Sequence, residues 1–168
     1  MLFRLLFLTT AILSASALAD EPMMPPAVWE TCSPSGEYCA RLDPAENSIL
    51  AYKPGVETIV LWRAQGWSSV AALADDGEHL VLGYEGANLI PLDYRPDMAM
   101  LTFYRRGEVF RTVRLEELIT DTAIKMNRTV SHYHWGDYLG LDAGGRYLVR
   151  TAIGREIRFD MTTGRPAR

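Results

Sequence analysis

Most of the chain alternates short apolar runs with brief polar segments that contain glycine. The clearest runs occur in pairs, at 49–52 with 58–62, 100–104 with 109–113, and 148–152 with 156–160. Short runs rich in β-branched and aromatic residues, punctuated by turn residues, predict antiparallel β-hairpins. Within 146–151 Arg146 and Arg150 alternate with Tyr147 and Val149, a period of two that predicts a sheet with one buried and one solvent-facing side.

One turn pattern recurs three times along the chain, at 33–41, 74–82 and 142–150. Each copy has a small or acidic turn that ends in glycine (Gly36, Gly77 and Gly145), then a charged residue, an aromatic residue or histidine, and a β-prone run. Internal similarity of this kind is typical of repeated supersecondary units. The sequence therefore predicts about three β-meanders built on one plan.

A single stretch has helical periodicity. Leu115, Leu118 and Ile119 are spaced three and four apart, which places them on one face of a helix over about residues 114–122. The stretch lies between the second and third copies of the turn pattern. We therefore predict an all-β, mainly antiparallel fold with one short helix.

The first residues are predicted to be a targeting signal. Residues 1–19 combine a positive residue, Arg4, with an apolar stretch too short to span a bilayer, and they end in small residues at Ala17 and Ala19. This pattern predicts a secretory signal peptide, cleavage near Ala19–Asp20 and a periplasmic location. Residues 20–28 are proline-rich and predict an extended leader, so that 29–168 form a single β domain.

The only two cysteines flank a turn sequence. Between Cys32 and Cys39 lie Pro34, Ser35 and Gly36, which are typical of a tight turn that would bring the two sulfurs together on opposing strands. In an oxidising compartment, pairing is the expected state of such cysteines. We predict a disulfide that stabilises a hairpin; the spacing differs from the C-x-x-C of redox-active pairs.

Charge narrows the classes of function. The 168 residues carry 17 basic and 21 acidic side chains, a formal net charge of −4. Nucleic-acid-binding domains normally have a basic excess, so this class is disfavoured. Lysine occurs only at Lys53 and Lys125, and the remaining basic residues are arginines. Arginine, tyrosine and tryptophan are enriched at protein interfaces, whereas lysine is depleted.

Two segments resemble the blades of a β-propeller. Ser33-Pro34-Ser35-Gly36-Glu37-Tyr38 resembles the S-P-D-G-x-Y turn that opens a blade strand, and Asp160-Met161-Thr162-Thr163-Gly164 resembles the D-x-x-T-G that closes a blade. The resemblance implies about three blade-like units. Closed propellers have four to eight blades, so it implies an open half-propeller. In size, compartment and open β plan, the chain is also similar to periplasmic immunity proteins that block peptidoglycan-amidase effectors of type VI secretion.

Residues 131–137 are the densest chemical segment. On a strand, His132 and His134 point to the same face about 7 Å apart, and Asp137, His79 or Glu85 could supply a third metal ligand. Two histidines are not a complete ligand set, so metal binding here is an alternative only. The chain has no G-x-S-x-G motif, and the cysteines are accounted for by each other. The sequence predicts neither an enzyme nor a cofactor.

The leading hypothesis is a non-enzymatic periplasmic protein-binding module, most concretely an immunity or inhibitor protein that blocks a cell-wall-degrading effector. Loops at 128–137 or 83–97 would enter the effector's active site, and the candidate contacts are Trp67, Arg128, His132, Tyr133, His134, Trp135 and Asp137. No nucleic-acid or membrane partner is expected after cleavage. Three alternatives stay open: a self-associating propeller-like subunit, a metal-binding protein at His132 and His134, and a glycan-binding protein.

Overall fold

A computed structural model describes residues 25–167, which form thirteen strands and two short helices. The predicted signal peptide, residues 1–19, and residues 20–24 of the predicted leader lie outside the described residues. Residues 25–28 have no regular secondary structure and lead directly into the first strand. No helix in the described range is long and apolar enough to cross a membrane.

Three antiparallel sheets correspond to the three predicted meanders. The first contains β1 (Trp29–Cys32), β2 (Cys39–Asp43), β3 (Ser48–Lys53) and β4 (Ile59–Gln65) in that order. The second contains β5 (Ala71–Leu73), β6 (His79–Gly83), β8 (Ala99–Arg105) and β9 (Glu108–Arg114). The third contains β11 (Gly136–Leu141), β12 (Arg146–Thr151) and β13 (Glu156–Asp160). β7 (Leu89–Pro91) and β10 (His132–His134) form a separate two-stranded sheet.

The three larger sheets pack face to face like successive blades. The first strand of the second sheet, β5, contacts both β1 and β11, the first strands of the other two sheets. One apolar core lies between the first and second sheets and includes Leu42, Trp62 and Leu80. A larger core lies between the second and third sheets and includes Phe103 and Phe159. Within the described residues the sheets form no closed barrel or ring, which confirms the predicted open all-β plan.

The middle sheet differs from the predicted one-sided pattern. In β6, Leu80 belongs to the first core and Val81 to the second, so both faces of this strand are buried. The prediction is confirmed for β12, where Tyr147 and Val149 are buried and Arg150 is exposed. The reason is position in the stack: β6 lies in the sheet between the other two, and both of its faces are covered.

The two outer sheets present charged faces to solvent. Register places Glu30, Arg41 and Arg63 in one row across the first sheet, on the side away from the second. In the third sheet Arg150 lies between Asp137 and Glu156 on the corresponding outer side. Solvated charges on terminal faces are typical of the end units of repeat architectures, where no further repeat covers them.

The three recurrent turns share one hydrogen-bonding pattern, which confirms the repeat. In each, the glycine N–H donates to the carbonyl three residues earlier: Gly36 to Ser33, Gly77 to Ala74 and Gly145 to Asp142, at 2.8, 3.1 and 2.9 Å. All three glycines have φ near +70°, a conformation that costs little only for glycine. The sequence pattern therefore reflects a backbone requirement.

The predicted disulfide is present and joins the first two strands. Cys32 and Cys39 are register partners at the ends of β1 and β2, and their sulfurs are bonded. The turn between them is the first copy of the recurrent pattern. Closing so short a loop stabilises the fold by roughly 2–3 kcal/mol in the chain-entropy description.

The predicted helix over 114–122 is two shorter helices, α1 (Leu115–Leu118) and α2 (Asp121–Lys125). The predicted apolar face is confirmed, because Leu115, Leu118 and Ile119 are all buried. Ile119 has extended backbone angles, and Thr120 accepts a hydrogen bond from the Ala123 N–H as the N-cap of α2. A capping threonine directly after an extended residue ends one helix and begins the next.

Two turn aspartates, Asp76 and Asp142, are expected to make the stability of the fold depend on pH. Partial burial of Asp76 opposes ionisation, but bonds from the His79 backbone and ring and from the Glu78 N–H outweigh it, so the pKa of Asp76 is lowered. The Arg146 N–H, the Arg146 guanidinium and the Gly144 N–H lower the pKa of Asp142 in the equivalent turn.

A pKa lower in the folded than in the unfolded chain stabilises the fold above the unfolded value and loses that effect as the pH falls through the folded value. We therefore expect a urea midpoint that is steady from about pH 7 to 5 and drops below about pH 4, near the ordinary aspartate pKa. Circular dichroism at a series of pH values measures it. Asp76→Asn should reduce the acid dependence; a midpoint that rises on acidification would contradict this interpretation.

Candidate partner-binding surface

The two segments that depart from the meander plan leave the second sheet at the same end. β6 and β9 run in the same direction, because both strands pair antiparallel with β8. Residues 84–98, which follow β6, and residues 115–135, which follow β9, therefore start from one end of the sheet. We call these two segments the insertion end. The glycine turn that precedes β6 lies at the opposite end.

The insertion end brings together the two loops that the sequence predicts as partner-binding. β10, from the predicted loop 128–137, pairs with β7, from the predicted loop 83–97. The register joins His132 to Pro91, Tyr133 to Ile90 and His134 to Leu89. The two loops form one surface, and the predicted strand at His132 and His134 is present.

A hairpin projects from this two-stranded sheet. Its tip is closed by the Thr129 N–H, which donates to the His132 carbonyl at 2.9 Å. Next to this bond, the backbones of Arg128 and Tyr133 form an isolated antiparallel β-bridge. At its base the His134 N–H donates to the Asn127 carbonyl at 2.9 Å, and the Asn127 side chain donates to the Ala123 carbonyl of α2 at 2.8 Å. We call residues 127–134 the projecting hairpin. Its backbone is held at both ends.

Trp135 anchors the projecting hairpin to the core. The prediction that Trp135 is a partner-binding residue is wrong, because its side chain is 0% exposed. The indole N–H donates to the Ala87 carbonyl at 2.7 Å, and the Trp135 N–H donates to the Asn88 carbonyl at 3.1 Å. The indole also packs edge-on against Tyr138, with ring centroids 5.0 Å apart. An indole that buries its ring and satisfies its N–H stabilises the fold and leaves nothing for a partner to contact.

Tyr133 is half-buried and connects the hairpin to α2. Its ring meets Tyr94 edge-on, with centroids 5.6 Å apart. Tyr94 donates its hydroxyl to Asp121, which also pairs with Lys125 at 2.8 Å. Burial, together with the bond to Asp121, raises the pKa of Tyr94 to about 12. The neutral hydroxyl persists at neutral pH, so this contact between α2 and the 84–98 segment is maintained.

Apolar side chains are exposed at Met126 and Val130, on either side of the exposed Arg128 in the sequence, and at Leu92 beside β7. Met126 is 78% exposed and Val130 is 66% exposed, while Leu92, next to β7, is 42% exposed. Exposed apolar side chains close to an arginine on a backbone held in place are typical of a protein-contact surface. The sequence prediction did not include Met126, Val130 or Leu92. These apolar residues belong to no amphipathic pattern, and this was the only sign in the sequence that they could be exposed.

The histidines of the segment are hydrogen-bonded to neighbours. His134 Nε2 lies 3.2 Å from an Asp137 carboxylate oxygen, and His132 Nδ1 lies 2.9 Å from the Ser131 hydroxyl. The suggestion that His79 could complete a metal site with them is wrong. His79 is buried at the start of β6, at the opposite end of that strand, with Nδ1 2.7 Å from Asp76.

Metal-ligand groups converge at one other place in residues 25–167. Glu30, Cys32 and Cys39 place one ligand atom each within 4.8 Å of one another. The two sulfurs there are bonded to each other, so neither is a thiolate that can coordinate a metal. Asp137 is the one predicted third ligand that the structure brings beside His134.

Trp67 lies beside a groove between the first and second sheets. The groove has a volume of about 440 Å³, and its lining includes Trp67, Tyr84, Glu85, Met98 and Tyr104. Trp67 is half-buried, and its indole N–H donates to the Ala27 carbonyl at 3.2 Å. Because Tyr84, Glu85 and Met98 belong to the 84–98 segment, the groove adjoins the insertion end.

Comparison with known proteins adds no family assignment. No family model matches the chain, and no curated protein matches its sequence.

Proposed function

We propose that the protein is a non-enzymatic, periplasmic protein-binding module that inhibits a secreted cell-wall-degrading enzyme, with the insertion end as its contact surface. The observation that carries the proposal is the projecting hairpin. Arg128 and Val130 are exposed on a short hairpin whose base is fixed by Trp135 and by bonds to α2. A preorganised protrusion loses little conformational entropy on binding and fits the active-site cleft of a hydrolase.

Three further features support this proposal over the alternatives. The disulfide suits an oxidising compartment such as the periplasm. The outer faces of the first and third sheets carry charged rows, which a second copy completing the ring would have to bury. The His134–Asp137 pair lacks, within residues 25–167, a third ligand in coordinating distance, so a metal function has less support.

The test is inhibition of purified hydrolases. We expect the protein to inhibit at least one enzyme in a panel of secreted peptidoglycan amidases, measured as clearance of isolated cell walls, and to bind it in a calorimetric titration. Val130→Asp places a charge at the exposed hairpin tip and should weaken binding at least about tenfold, which corresponds to about 1.4 kcal/mol. Arg128→Ala should weaken it in the same direction.

Val56→Asp is the matched control. Val56 is fully exposed in the turn between β3 and β4, away from the insertion end, so the same substitution there should leave inhibition unchanged. Failure to inhibit any enzyme of the panel would count against the proposed function. Equal effects of the two substitutions would count against the hairpin as the contact.

A further inference from the structure

The first half of β4, the outer strand of the first sheet, exposes a run of apolar side chains. Ile59 is 58% exposed, Val60 is 48% exposed and Leu61 is 41% exposed. Ile59 and Val60 point to opposite faces of the strand, so apolar surface is open on both faces at once. A single exposed apolar residue is ordinary, whereas three in succession on an edge strand indicate a surface that pairs with another chain.

The backbone of this run also has free hydrogen-bonding groups, because β4 pairs only with β3. The Gly66 N–H donates to the Asn47 carbonyl at 2.9 Å, so Asn47 and, by alternation, Lys53 point their backbone groups to β4. Lys53 is paired with Ile59, and Val60 therefore points its N–H and carbonyl to the outer edge. Within residues 25–167, no group beyond the sheet bonds to the Val60 backbone.

The other outer edges are protected, and so is the second half of β4. A Cβ placed on Gly107, in the turn between β8 and β9, would lie 2.4 Å from the Arg63 carbonyl oxygen, so this turn packs against the second half of the strand. The outer edge of β13 is covered by residues 165–167, and β9 carries two arginines and a glutamate. Coverage and charge are the usual protections of an edge strand, and residues 58–61 have neither.

The sequence of this segment favours a second copy of the same strand as its partner. Residues 58–61 carry no charge, and the nearest charged residues on either side, Glu57 and Arg63, are opposite in sign. Antiparallel pairing of two copies brings the Glu57 end of one strand beside the Arg63 end of the other, whereas parallel pairing would bring like charges together. Two-fold contacts that join the same patch of two subunits are the commonest arrangement in oligomers.

The extra residue at Leu61, a bulge against β3, selects the register of such a pairing. Thr58 lies two residues before Val60, so its backbone also points to the outer edge. A two-fold axis at Ile59 lets Thr58 of each copy exchange two hydrogen bonds with Val60 of the other, about four bonds in all. An axis at Val60 would instead place Thr58 opposite Trp62, whose backbone points inward to β3. The axis at Ile59 therefore makes more hydrogen bonds.

We propose that two copies of this chain form a symmetric dimer through the first half of β4, with Ile59 at the two-fold axis. The first sheets of the two copies, with four strands each, then form one continuous antiparallel sheet, and the two apolar runs lie against each other. An edge contact of this length is small beside the roughly 1,200–2,000 Å² that stable interfaces bury. We therefore expect a dimer that dissociates on dilution.

The dimer contact is separate from the insertion end. Gly66, directly after β4, lines the groove that adjoins the insertion end, and Ile59 lies at the other end of the strand, roughly 20 Å away. The charged outer faces of the first and third sheets stay exposed. The inference thus goes beyond the proposed inhibitor function and does not depend on it. A monomer keeps its insertion end, so Val56→Asp remains a control for inhibition.

Analytical ultracentrifugation of the purified protein tests the dimer. From about 1 to about 500 μM, the mass should rise from that of one chain towards that of two. Val60→Lys places like charges side by side at the edge and should weaken the dimer at least about tenfold. Val109→Lys is the matched control, because Val109 is 53% exposed on β9 and lies outside the contact. Circular dichroism checks that both variants fold.

Ile59→Cys tests the register. Residues that face each other in a non-hydrogen-bonded antiparallel pair have Cα atoms about 4.5 Å apart, which a disulfide can span. Ile59 faces its own copy at the axis, whereas Leu61 lies about 13 Å from its copy, too far for a disulfide. Mild oxidation should cross-link Ile59→Cys at least about tenfold faster than Leu61→Cys, measured by electrophoresis without reductant. The native cysteines are bonded to each other and take no part.

Four outcomes would overturn the proposal: a single-chain mass at every concentration, an undiminished dimer in Val60→Lys, equal weakening by Val109→Lys, or cross-linking of Leu61→Cys as fast as that of Ile59→Cys. The Val60→Lys variant should still inhibit the hydrolase, because the insertion end is unchanged. Failure of the dimer therefore leaves the inhibition experiment to be judged on its own.

Discussion

Replacing Trp135 with alanine is expected to lower the free energy of unfolding by about 3–5 kcal/mol, the range for removing a large buried aromatic side chain. The indole is completely buried beside Tyr138, so truncation leaves a cavity in the larger core. It also leaves the Ala87 carbonyl without its donor. Because small domains are stable by only about 5–15 kcal/mol, this one change removes a large part of the total.

Urea unfolding followed by circular dichroism measures the loss. Trp67→Ala is the matched control, because Trp67 is half-buried and bonds only to the Ala27 carbonyl near the start of the described chain. Trp67→Ala should lower the free energy of unfolding clearly less than Trp135→Ala does. Equal losses, or an unchanged midpoint for Trp135→Ala, would show that Trp135 does not anchor the insertion end. Trp135→Ala is for the same reason unsuitable as a test of partner binding.

Tyr138→Phe is expected to lower the free energy of unfolding by about 2–4 kcal/mol, although it removes a single oxygen atom. The hydroxyl donates to the Met100 carbonyl at 2.8 Å and accepts from the Tyr84 N–H at 2.8 Å. Met100 lies at a register shift between β8 and β9, where the ladder is interrupted. Each buried backbone group left without a partner costs about 1–3 kcal/mol. Burial raises the pKa of Tyr138, so the neutral hydroxyl is present throughout.

Tyr147→Phe provides the comparison. Tyr147 is buried in the same core, and its ring centroid lies 6.4 Å from that of Tyr138. Burial alone raises the pKa of Tyr147, and within residues 25–167 its hydroxyl has no hydrogen-bond partner, so its loss should change the urea midpoint little. A difference between the two variants isolates the hydrogen bonds from the packing. Similar midpoints for both would mean that the Tyr138 hydroxyl does not hold β6 and β8 together.

Local features of the fold could be predicted from the sequence because they follow from short-range rules. Gly36, Gly77 and Gly145 mark turns that require positive φ, and the runs beside them pair with their immediate neighbours. The disulfide follows from a turn between Cys32 and Cys39. These predictions needed only the residues within one hairpin.

Features that depend on distant residues could not be predicted in this way. The sequence gives no sign that Trp135 reaches the carbonyl of Ala87, since the contact joins two separate excursions from the meander plan. The burial of both faces of β6 depends on its place between two other sheets. Of the predicted contact residues, Arg128 is exposed, and His132, His134 and Asp137 are partly exposed. The positions of the aromatic residues in the sequence could not show which of their rings face the core.

The two-stranded sheet of β7 and β10 has a consequence for the order in which the protein folds. Its register joins residues more than 40 positions apart, whereas the other ladders join strands that follow one another or are separated only by the β7 excursion. Closing a long loop carries a larger entropic cost than closing a hairpin, so local meanders nucleate first. The projecting hairpin is therefore expected to gain its support last, so the proposed contact surface is complete only when the whole chain has folded.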